Sequence, residues 1–78
     1  MTTKRTASLD LKAVGARIRA LRGDTLQNEF APKLGISQGQ LSKIERGTLA
    51  PSLETLLKLS QRFEKSLDWI VTGREINS

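Results

Sequence analysis

The chain has 78 residues, no cysteine, no histidine and a formal net charge of +5. That length allows one small domain, whose folding hides only roughly 60% of the surface the unfolded chain exposes. Without Cys or His there is no disulfide, no usual zinc ligand set and no neutral-pH proton shuttle, so neither an enzyme nor a bound metal or cofactor is expected.

Residues 1–8 are polar and aperiodic, and are expected to form a flexible basic arm carrying Lys4 and Arg5. From Leu11 the apolar residues Leu11, Val14, Ile18 and Leu21 recur in steps of three and four, which places them on one face of a first helix. Gly23-Asp24 ends it. A second helix is expected to start at Thr25 as N-cap and to bury Phe30, Ala31 and Leu34. Pro32 falls inside it and removes a backbone donor, which predicts a lost hydrogen bond or a kink there. Gly35 stands where a left-handed residue closes a helix.

Ser37 and Gln40 make an S-x-x-Q capping box that opens a third helix, with Leu41 and Ile44 facing inward and Gly47 as its stop. Ser52 caps a fourth helix, and the expected core stripe is Leu53, Leu56, Leu57, Ser60 and Phe63, with Leu59 toward one edge. Ser66 caps a short fifth helix, LDWIV, that stops near Gly73, and a frayed tail covers residues 74–78. Nothing reads as a strand or a repeat. The expected fold is all-α, five short helices around one core, over residues 9–73.

No apolar run approaches the ~20 residues of a membrane span, and the N-terminus has no apolar segment of a secretion signal. A cytoplasmic protein with no membrane partner is expected. The charge is one-sided. Residues 1–46 hold nine Lys/Arg against four Asp/Glu, while residues 47–78 hold four against four. A basic half of this kind suits a polyanion.

Two helices joined at a glycine suit either an αα-hairpin or a DNA-reading helix-turn-helix. Ala31, Gly35 and Leu41 have the spacing of the second: a small residue where helices touch, a turn glycine, an apolar anchor. Together with LGISQGQLSKIERGTLAPSLETLLKLS and SLDWIVTG, this segment resembles the lambda-repressor/Cro-type (XRE) helix-turn-helix family from about Val14 to Gly73. The resemblance implies a compact five-helix, lambda-repressor-like domain. Its partner would be double-stranded DNA, its role that of a transcriptional regulator, most often a repressor. It would bind an inverted-repeat operator as a homodimer, with no small-molecule ligand evident.

The resemblance also implies roles. Gln38, Gly39, Ser42 and Lys43 would face the bases, glutamine suiting adenine and lysine suiting guanine or a phosphate. Gln27, Ser37, Gln40, Arg46, Thr48 and Arg17 would meet the DNA backbone, with Arg19 and Lys33 as further surface cations. Arg22 and Glu45 would form a structural ion pair holding the third helix to the first. Leu67, Trp69, Ile70 and Val71 would supply the dimer interface. In a second reading the fifth helix instead binds another protein, as an antitoxin or adaptor does.

The chain departs from the family pattern at four places. The link from Arg22 to Gln27 is short, Leu26 replaces the usual Ser or Thr, Pro32 interrupts the second helix, and the loop Thr48 to Pro51 has no Lys or Arg.

Overall fold

The computed structural model describes residues 9–74, so the arm expected at 1–8 and the tail beyond Arg74 lie outside the described residues. Those residues form five α-helices and no strand, as the periodicity predicts: α1 (Leu11–Arg22), α2 (Gln27–Phe30), α3 (Gln38–Arg46), α4 (Leu53–Phe63) and α5 (Leu67–Thr72). Short-range polar signals set most of the boundaries. Asp10 caps α1 by accepting from the Ala13 N–H at 3.1 Å. Ser37 and Gln40 form the complete capping box of α3: the Gln40 N–H donates to Ser37 Oγ (3.1 Å) and the Ser37 N–H to Gln40 Oε1 (2.9 Å). Ser52 and Ser66 cap α4 and α5 by accepting from the Thr55 and Trp69 N–H groups, at 3.1 and 3.0 Å.

The second helix differs from its expectation in two respects. Its N-cap is Leu26 and no side chain caps it; Thr25 instead offers its carbonyl to Arg22 Nη1 at 2.7 Å. Pro32 does not sit in a continuous α-helix. The chain tightens after Phe30 into a 3-10 segment, Ala31–Leu34, with Pro32 in its first turn, where a missing N–H costs little. Gly35 follows in the left-handed region (φ 74°, ψ 25°) and turns the chain into α3.

The core combines Val14 and Ile18 of α1 with Phe30, Ala31 and Leu34, then Leu41 and Ile44 of α3, Leu56 and Leu59 of α4, and Ile70 of α5. Burying an apolar side chain of this kind stabilises by about 1.5–3 kcal/mol, and every helix contributes at least one. Phe63 is half-buried and meets Phe30 with ring centroids 5.9 Å apart. On α4 the expected stripe is rotated. Leu59 is fully buried and Thr55 nearly so, whereas Leu53 and Leu57 are 67% and 42% exposed. Thr55 tolerates burial because Ser52 and Thr55 bond reciprocally, the Ser52 hydroxyl donating to Thr55 Oγ1 at 3.1 Å.

Candidate nucleic-acid interface

The position of α3 begins with a glycine on α1. Gly15 is buried, and a Cβ there would lie 2.3 Å from the Ile44 carbonyl oxygen and 2.7 Å from that of Glu45. The α1 and α3 backbones therefore approach as closely as only glycine allows. A second close approach fixes the end of α3. Gly47 is left-handed (φ 82°), and a Cβ on it would meet the Lys12 backbone at 2.9 Å. Sequence reading passed over Gly15; the available signal was a glycine inside an otherwise regular helical pattern.

A polar lock joins the same two helices. Arg22 Nε donates to Glu45 Oε2 (2.7 Å) and Arg22 Nη2 to Glu45 Oε1 (2.9 Å), a bidentate pair with side chains only 14% and 5% exposed. Gln27 Nε2 donates to the same Oε1 at 2.9 Å, so α1, α2 and α3 meet at one carboxylate. Burial pushes the Glu45 carboxyl up, but the hydrogen bonds from Arg22 and Gln27, with the Arg22 and Arg19 charges, prevail and hold it below its usual range. The hydrogen bond to Glu45 raises Arg22 above its usual value against the effect of burial. The short link after Arg22 does not prevent the pair: the third donor, Nη1, draws the Thr25 carbonyl onto the guanidinium.

With its inner face locked, α3 presents Ser37, Gln38, Gly39, Gln40, Lys43 and Arg46 exposed, and Ser42 half-buried. The capping box uses the acceptors of Ser37 and Gln40. Their outward donors, a hydroxyl hydrogen and a carboxamide NH₂, remain for a ligand rich in acceptors. Arg46 donates one N–H to the Ser42 carbonyl (3.3 Å) and keeps four. Gln27 keeps its second amide hydrogen.

Three expected site residues are placed elsewhere. Arg17 Nη1 donates to the Ile70 carbonyl at 3.0 Å, and its guanidinium lies where a Gly73 Cβ would clash, 2.6 Å from Nη2. It caps the C-terminal end of α5, where a cation is favoured. The Thr48 hydroxyl donates to the Lys43 carbonyl (3.2 Å), as does its N–H (2.9 Å), which completes the end of α3. Ile70 is 0% exposed in the single chain and so belongs to the core, not to a surface. Its neighbours Leu67, Trp69 and Val71 are half-buried. Lys65 Nζ stands 4.8 Å from the Trp69 ring centroid.

Comparison with known proteins bears on this geometry. The family described as helix-turn-helix matches residues 16–70, a span that takes in the α1–α3 lock and the turn at Gly35. The chain belongs to the helix-turn-helix family of the Cro/lambda-repressor type. It is similar to the HTH-type transcriptional regulator ImmR of Bacillus subtilis (strain 168), with 34% identity over 67 residues, which are 83% of this chain and 53% of ImmR. The chain thus spans about half the length of that relative. Among solved structures it resembles the P22 c2 repressor, whose crystal structure is a complex with a synthetic operator. The TM-score is 0.71 and the identity 33%, covering 78% of this chain and 96% of the chain in that structure.

As a member of this family the chain has two local variations, one before α2 and one after α3. Leu26 is 60% exposed where a hydroxyl would cap α2, and the loop from Thr48 to Pro51 offers no cation. Gln27 still reaches Glu45 without a side-chain cap below it. The basic side chains of α3 are Lys43 and Arg46, both exposed, and Lys33 of the 3-10 segment is exposed as well. No described helix is long and apolar enough to cross a membrane.

Proposed function

We propose that this protein is a sequence-specific DNA-binding regulator of transcription, a repressor that covers an inverted-repeat operator as a homodimer. The observation that carries the reading is the construction of α3: its inner face is fixed to α1 by Gly15 and by the Arg22–Glu45 pair, and its outer face is polar, donor-rich and exposed. A helix held rigidly with such a surface suits the major groove. The operator complex named for the P22 c2 repressor supports the same use of this fold.

In this reading Gln38, at the first turn, pairs with an adenine edge, and Lys43 reaches guanine or phosphate. Ser42 lies beside them and Gly39 between them. Ser37, Gln40, Arg46 and the free amide hydrogen of Gln27 hold phosphates. Thr48 drops out of that set because its hydroxyl is committed to the Lys43 carbonyl, and Arg17 because its guanidinium is anchored at the far end of the chain, on the Ile70 carbonyl and against Gly73. The partly exposed Leu67, Trp69 and Val71 of α5 supply the dimer contact, and two-fold symmetry then places two α3 helices about 34 Å apart.

The test is selection of bound sites from a random duplex pool at two salt concentrations. Enrichment of an inverted repeat, relaxed at one base pair per half-site by Gln38→Ala, is the expected result. Binding without an enriched motif, collapsing steeply with salt, would mean that only phosphates are held. That outcome would refute sequence-specific regulation.

A further inference from the structure

The chain has six glycines, and the fold accounts for five. Gly23, Gly35, Gly47 and Gly73 take positive φ, and Gly15 admits the α3 backbone. Gly39 fits neither class. It lies at the second position of α3 with an ordinary helical backbone, and it is exposed. A Cβ built there would find only Ser37 Oγ within 4 Å, at 3.9 Å. The fold has room for a side chain at 39, and glycine is among the poorest residues for a helix. The same position stands in the middle of the proposed reading face, flanked by Gln38 and, one helical turn on, by Ser42 and Lys43.

A missing Cβ on such a face leaves a notch the size of one methyl group, open to solvent. In the major groove the only carbon group that projects from a base edge is the C5-methyl of thymine. Apart from its two chain neighbours and its own helix backbone, nothing stands closer than 3.9 Å to the position a Cβ would take, so a methyl group can come into van der Waals contact with the Gly39 Cα itself without meeting another side chain. We propose that Gly39 is a specificity determinant: its notch accepts the C5-methyl of one thymine in each half-site and lets α3 seat against that base. The inference rests on the DNA-binding reading above and adds the chemistry recognised at one position.

The experiment uses the full chain and its Gly39→Ala variant on the selected operator, with each thymine replaced by deoxyuridine together with its symmetry mate in the other half-site. For the unaltered protein, removal of one methyl per half-site should weaken binding about fifteenfold, the value of two buried carbons. Gly39→Ala should bind the intact operator about tenfold more weakly, because Cβ and methyl compete for one space. Removing that same methyl should then restore the variant to within about twofold of the unaltered protein on the same duplex. The variant should melt no lower than the unaltered chain. Equal affinity of the variant for the intact operator, absence of any thymine whose methyl removal rescues it, or a lower melting temperature would each overturn the notch and leave DNA binding standing. Failure of the unaltered chain to enrich any site would remove the DNA reading and the notch with it.

Discussion

Replacing Gly15 by alanine tests whether backbone contact with α1 sets the position of α3. The new Cβ would lie 2.3 Å from the Ile44 carbonyl oxygen and 2.7 Å from that of Glu45. Carbon and oxygen meet comfortably at about 3.3 Å, so the helices must part by roughly 1 Å. The obstacle is backbone, not the end of a flexible side chain, so the cost should reach the upper part of the ~1–3 kcal/mol typical of overpacking. Alanine recovers about 1 kcal/mol of helix propensity. The net expectation is a loss of about 2 kcal/mol, or roughly 8–16 °C in melting temperature for a domain of this size. Urea titration followed by circular dichroism reads the first quantity and a thermal scan the second. Gly39→Ala makes the same chemical change on an open surface and should not destabilise. If Gly15→Ala matched or exceeded the unaltered protein in stability, the close approach of α1 and α3 would not be what the geometry says.

Arg22→Ala should lower stability by about 3 kcal/mol, because it leaves the Glu45 carboxylate nearly buried without its cation, while Arg19→Ala on the exposed face should stay within about 0.5 kcal/mol. Equal melting temperatures for the two would count against the lock. The folded Glu45 carboxyl titrates below its usual range, so the stability it contributes is present above the unfolded value of about 4.3 and is lost as pH falls through the folded one. Glu45→Gln should flatten the acid limb of the stability–pH curve, and an unchanged limb would place the titration elsewhere. Arg17→Ala should cost about 1.5–3 kcal/mol by stranding the Ile70 carbonyl, with the slope of DNA affinity against salt unchanged. A slope reduced by about one would return Arg17 to the phosphate contacts. Trp69 emission should shift with concentration over the range in which sedimentation shows dimer forming; emission constant across that range would exclude the ring from the interface.

The four departures from the family pattern turn out to be local. The short link after Arg22 is drawn in by its own guanidinium, Pro32 is absorbed by a 3-10 turn, and Leu26 leaves α2 without a side-chain cap but in place. The loop Thr48 to Pro51 remains without cations, and that concentrates the proposed phosphate contacts on α3 and Gln27. The α1–α3 lock survives because it depends on groups in the helices themselves, not on the links between them.

Much of this architecture follows from the amino-acid sequence alone, for a definite reason. Caps and helix stops act over three or four residues, so Ser37 with Gln40, Ser52, Ser66, Gly35, Gly47 and Gly73 announce their elements wherever the chain goes. The polar exposed face of α3 is legible in the same way, because it is what remains once Leu41 and Ile44 are turned inward. Other features depend on partners far along the chain. The leucines of α4 spread over nearly half of its circumference, wider than the covered face, so periodicity alone does not decide which are covered; contact with the other helices buries Leu59 and leaves Leu53 and Leu57 outside. Arg17 reads as one more surface cation until the fold brings a carbonyl 53 residues away within 3.0 Å of it. Gly15 and Gly39 are equivalent in a helical pattern, and only the presence of a neighbouring backbone at one and open space at the other separates a packing residue from a surface one.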